Sequence, residues 1–151
     1  MRLVKAAAVQ RSTGLTADQL REWTARRGLI APDVKPCGPG SRAGYGWQTV
    51  LLLRVAVVLK ETFHVELQAQ RPLFTALKAR LATASFPALR GLALLVRSGG
   101  QFDLIAVDQI EAAYDDVLVI RLDPHLDVLS TGFGFIEHAD QLPLFPAVAV
   151  R

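Results

Sequence analysis

The spacing of apolar positions changes part-way along this chain, from helical periodicity in the first half to short apolar runs in the second. Leu3 to Gln10 holds five alanines and valines in eight positions, in a stretch dominated by good helix formers. Ser12-Thr13-Gly14 interrupts it, and Gly14 stands where a left-handed cap would end a helix. Thr16 follows as an N-cap candidate, with Gln19 three residues on in the capping-box position. Leu20 and Trp23 fall at i and i+3, so the second helix buries them on one stripe and turns Arg21, Glu22, Arg26 and Arg27 elsewhere. Gly28-Leu29-Ile30-Ala31-Pro32 stops that helix. Two short helices joined by a tight glycine turn make a helix-turn-helix pattern.

The next stretch, Asp33 to Gly46, contains Pro36, Gly38, Pro39, Gly40, Gly44 and Gly46 and cannot form regular helix. It is either a flexible linker or the tip of a β-wing. Helical spacing returns from about Trp47 to Thr62, where Leu52, Val55, Ala56, Leu59 and Phe63 share a face, and again from Pro72 to Leu81 through Leu73 and Leu77. Pro72 suits a first turn. After Phe86-Pro87 the pattern becomes strand-like. Leu92–Val96 and Gln101–Val107 flank Ser98-Gly99-Gly100, a hairpin signal. Asp108 to Tyr114 is a helical turn or a loop, and Val117–Leu122 is a third strand, ended by Asp123-Pro124. Two prolines make Asp140 to Pro146 extended.

Composition narrows the class. With 51% apolar and 21% charged residues the chain is not intrinsically disordered. No apolar run approaches the roughly 20 residues that span a bilayer, Val50–Leu59 being broken by Arg54. Met1 to Lys5 does not open a secretory signal. The lone Cys37 permits no internal disulfide or thiolate zinc site, and His64, His125 and His138 share no metal spacing. The expectation is a soluble, cytoplasmic protein, without membrane, metal or cofactor. Charge is unevenly spread: residues 1–71 carry 11 Lys/Arg against 5 Asp/Glu, residues 72–151 carry 6 against 9. A basic half joined to an acidic one suggests a polyanion-binding module carrying a second module of different purpose.

The order of features in the first half resembles the mercury-resistance regulator (MerR) family. The resemblance rests on a helix, the Gly14 turn, the Leu20-Arg21-Glu22-Trp23 helix, Arg27-Gly28-Leu29, Pro32, a basic glycine-rich stretch with Tyr45, and a leucine-rich helix. It covers Leu3 to Leu81. The chain departs from the family in two places: Leu20 to Gly28 is one residue longer, and Gly44-Tyr45-Gly46 lacks the arginine between wing aromatics. The resemblance implies an N-terminal winged helix-turn-helix in residues 1–84; the strand-like runs after Phe86-Pro87 make residues 85–151 a small β-rich dimerisation or regulatory module, and together they give an α+β fold. The resemblance also implies double-stranded DNA as partner. A recognition helix enters the major groove by its first turn, which brings Thr16, Asp18 and Gln19 nearest the bases. Gln19 suits adenine, whereas Asp18 repels phosphate and at best accepts from cytosine. Arg21 matches a family arginine on the DNA backbone, and Lys35, Arg42 and Tyr45 would act from the wing. Arg26 completes the set, although arginines at a helix end also serve as its solvated complement.

The expected function is therefore sequence-specific DNA binding by a nucleoid-associated transcription regulator, working as a homodimer on a palindromic site. The competing class is a protein-interaction module, such as an antitoxin or a sliding-clamp-associated adaptor. Gln141, Leu142, Leu144 and Phe145 resemble the short peptide by which bacterial proteins bind the polymerase sliding clamp, though a strand closing the module would read the same. No catalytic residue is expected: Asp115-Asp116 and the Asp123/Asp127 pair have no nucleophile, base or phosphate loop beside them.

Overall fold

In the computed structural model, which describes residues 2–112 and 116–135, the first half is helical and the second contains a three-stranded antiparallel sheet. The fold is α+β. Helix α1 (Ala6–Thr13) ends at Gly14, whose φ of 76° is the left-handed conformation expected of it. Helix α2 (Ala17–Arg21) begins at the Thr16 cap and runs on through a π-helical turn (Glu22–Arg26). Helix α3 (Trp47–Val57) likewise continues through a π turn (Val58–Thr62), and a 3₁₀ turn (Leu67–Gln70) leads into α4 (Arg71–Ala82). Strands β1 (Leu92–Val96), β2 (Phe102–Ala106) and β3 (Leu118–Arg121) order as β2-β1-β3, with Leu94 opposite both Leu104 and Ile120.

A further helix, α5 (Asp123–Phe133), was not expected from the chain. Asp123-Pro124 does end β3, but proline also fits the first turn of a helix, where its missing N–H costs nothing. Leu126, Leu129 and Phe133 then fall on one buried stripe that packs against α1 and α3. Among the described residues the C-terminal half is thus a sheet with a helix, not strands alone. Residues on both sides of Ala84 share one core, which runs from Val9, Leu20 and Trp23 through Leu52 to Leu94, Ile120 and Phe133. Trp47 belongs to it and meets Phe86 edge-on at 5.2 Å between ring centroids. The extended stretch 140–146 and the peptide Gln141, Leu142, Leu144 and Phe145 lie outside the described residues.

Three helix C-termini are closed by arginines that come from elsewhere in the chain. Arg54 of α3 donates to the Ser12 carbonyl in the last turn of α1, Arg71 of α4 to the Arg27 and Gly28 carbonyls beyond α2, and Arg2 to the Phe133 carbonyl of α5. The last carbonyls of a helix have no partner within it and form the negative end of its dipole, so a cation there both satisfies and stabilises them. Arg54 also donates from Nε to His125 Nδ1 at 3.0 Å, which links α1, α3 and α5 through one half-buried guanidinium. Burial lowers the Arg54 pKa; burial first, and then the nearby Arg54 charge, push His125 down to about 4. Among the described residues no helix is long and apolar enough to cross a membrane, and no group of three or more His, Cys, Asp or Glu is placed to hold a metal.

Candidate functional site

The turn between α1 and α2 is fixed by its own side chains. Thr13 Oγ1 donates to the Val9 carbonyl (2.8 Å) and accepts from Leu15 N (3.2 Å). Thr16 Oγ1 accepts from Gln19 N (3.1 Å) while Gln19 Oε1 accepts from Thr16 N (3.0 Å), a complete capping box. This geometry restricts the base-reading role considered for Gln19. Bidentate pairing with adenine uses both atoms of the amide, and one is already committed to the helix start. Asp18 and Arg21 stand on the same short helix, 3.8 Å apart, with side chains 87% and 61% exposed. Leu20 and Trp23 face the core as their spacing predicts. In the following π turn Arg26 and Arg27 both pair with Glu22, at 3.4 and 2.8 Å. These contacts hold the Glu22 carboxyl below its usual range, chiefly through the hydrogen bond from Arg27.

The glycine-rich stretch is an ordered loop. Val34 and Gly44 exchange main-chain bonds, Val4 and Tyr45 do the same, and the Asp33 carboxylate accepts from Gly46 N at 2.6 Å. Gly44 sits so close to Leu3 that an added Cβ would lie 3.1 Å from its Cδ1. Residues 35 to 42 are exposed, with Gly38 and Gly40 at φ 86° and 82° turning the tip. Lys35 and Arg42 flank that tip and make no ion pair or side-chain hydrogen bond among the described residues; Cys37 is exposed between them. Tyr45 requires a correction. It is 3% exposed and part of the core, so its phenol does not face outward with Lys35 and Arg42. Consecutive residues of an extended segment point to opposite sides, and the large aromatic takes the buried one.

Two groups of candidate residues therefore emerge, Thr16, Asp18, Gln19 and Arg21 on α2 and Lys35 with Arg42 on the loop, with no hydrogen bond or ion pair between the groups among the described residues. Arg26 joins neither, being held by Glu22. The acidic pair weighed for catalysis serves the fold: Asp127 pairs with Arg90 at 2.7 Å, and Asp123 accepts from Gly91 N at 3.0 Å. Asp115 lies outside the described residues. Searches against protein-family models and against curated proteins find no match for the chain. Arg71 and Lys78, whose Nζ donates to the Ala31 carbonyl at 2.8 Å, were not singled out in the sequence. Their seven-residue spacing on one helix was the available signal.

Proposed function

We propose that this protein binds double-stranded DNA as a transcription regulator, with the α1–turn–α2 unit and the loop at residues 33–46 acting together as a winged helix-turn-helix. The observation that carries the reading is the pairing of a capped, glycine-turned helix with a main-chain-bridged loop whose exposed tip holds two cations, Lys35 and Arg42, without internal partners among the described residues. Cations not neutralised within the protein can displace counterions from phosphate. The extra residue between Leu20 and Gly28 coincides with the π turn, in which Arg27 N reaches back to the Glu22 carbonyl at 2.9 Å and one more residue fits into the turn.

The test is fluorescence anisotropy on random-sequence duplex DNA in a salt titration, followed by selection of preferred sites. Affinity should fall as salt rises, and Arg21→Ala or Arg42→Ala should each reduce the slope of log K against log salt by about 0.9. Salt-independent affinity removes the reading in favour of a protein-interaction module. Gln19→Ala separates two roles: a change in preferred site assigns its amide to a base, whereas a uniform loss assigns it to the cap alone. One module covers only about 600–1,000 Å², so the reading includes two copies on a palindromic site, which light scattering with and without DNA checks.

A further inference from the structure

Helix α2 has little to hold it in place by itself. It is five residues of α-helix and one π turn, far below the roughly 12–15 residues at which an isolated helix becomes marginally stable. Its N-terminus is fixed by the capping box, and Leu20 and Trp23 anchor its buried side. Its C-terminus leaves through Gly28, in the left-handed conformation at φ 58°, where Leu29 N and Ile30 N reach back to the Trp23 carbonyl at 2.8 and 3.2 Å. The carbonyls of Arg27 and Gly28, just beyond that closure, are taken up from α4. Arg71 Nη2 donates to the Arg27 carbonyl at 2.6 Å and Nη1 to the Gly28 carbonyl at 3.2 Å, while Lys78, two turns on, holds the Ala31 carbonyl. The first turn of α4 is seated in turn by the β1–β2 hairpin. A Cβ on Gly100 would lie 3.0 Å from Pro72 Cβ and 3.1 Å from Leu73 N, so hairpin backbone rests directly on the turn that carries Arg71.

We propose that Arg71 is a positioning residue for α2. It sets how that helix is presented to DNA without touching DNA, and it makes the presentation depend on the C-terminal sheet through the Gly100 seat. The proposal rests on the DNA-binding reading for its functional consequence, but its physical core, a guanidinium that fixes the end of α2, does not. The forked guanidinium suits two carbonyls at once; an ammonium at the same position serves one. Arg71 therefore differs from Arg21, whose only partner among the described residues is an exposed carboxylate 3.8 Å away.

The experiment has a DNA-free arm and a DNA arm, both on the full chain. Without DNA, hydrogen exchange in Arg71→Ala should speed up by about three- to tenfold at the amides of residues 24 to 30, and leave α3 unchanged. Arg71→Lys should give an intermediate rate. With random-sequence duplex DNA, Arg71→Ala should lose about three- to tenfold in affinity with an unchanged salt slope. A slope reduced by about 0.9 would make Arg71 a phosphate contact and overturn the proposal. So would unchanged exchange in residues 24 to 30. If the wild-type chain does not bind DNA, the DNA-binding reading fails by itself, and the exchange arm still decides whether Arg71 holds α2. Should Arg71→Ala fail to fold, Arg71→Lys carries both arms.

Discussion

His125 sits against the Arg54 guanidinium and accepts a hydrogen bond at Nδ1, which only the neutral imidazole can do. With its pKa lowered from 6.5 to about 4, the unfolded chain binds a proton in that interval that the folded chain does not. Stability from this group is complete above pH 6.5 and is lost as pH falls toward 4, by about 1–2 kcal/mol for a partly solvated site. Urea unfolding across that interval should show it, and His125→Asn, which keeps an acceptor without the titration, should flatten the difference. Tyr45 gives a second test at this scale. Tyr45→Ala should destabilise the fold by about 3–5 kcal/mol, as other buried aromatics do. A fully stable Tyr45→Ala protein with weakened DNA binding would return the phenol to the surface. Residues that bond to near neighbours were readable from the chain: Gly14, Thr16 and Gln19 each carry a local rule for helix ends. Tyr45 was not, because its burial depends on pairing with Val4, forty-one positions away.

Among the elements, the helices and strands follow their periodicity closely, and β1, β2 and β3 fall inside the runs that apolar spacing marks. The exception is α5. The residues Leu126, Leu129 and Phe133 carry a helical stripe, but Asp123-Pro124 signals the end of a strand and the start of a helix alike, and only the packing of that stripe separates the two. The Gly100 seat yields a prediction at this scale. Gly100→Ala places a side chain on a left-handed backbone (φ 77°) and against Pro72, and should cost about 1–3 kcal/mol. If the hairpin seats α4, the same substitution should also raise exchange at residues 24 to 30 more than at α5. Equal acceleration everywhere would reduce Gly100 to a simple stability position.

At the scale of the molecule, one core joins residues on both sides of Ala84. Tryptophan fluorescence and far-UV circular dichroism should accordingly report one coincident unfolding transition. A fragment of residues 1–84 should lose native packing and bind a hydrophobic dye, since it removes Phe86 from Trp47 and the α5 stripe from α1 and α3. A fragment that unfolds as cooperatively as the whole chain would show two separate units. Charge was the least faithful guide at this scale. Of the 11 basic residues in the first 71, Arg2, Arg54 and Arg71 close helix ends and Arg26 and Arg27 pair with Glu22. A count of cations cannot separate those that face solvent from those that bind the protein's own carbonyls; only the tertiary fold does.

The arginines at the helix ends also impose an order on synthesis. Each bond joins residues far apart in the chain, 42 for Ser12 with Arg54, 44 for Arg27 with Arg71 and 131 for Arg2 with Phe133. A chain made from its N-terminus has α1 and α2 outside the ribosome before the residues that close them exist. The Ser12 carbonyl at the end of α1 must wait until α3 is made, and the Arg27 and Gly28 carbonyls until α4 begins. Of the three, Arg2, which precedes α1, waits longest, because its acceptor is the last residue of α5.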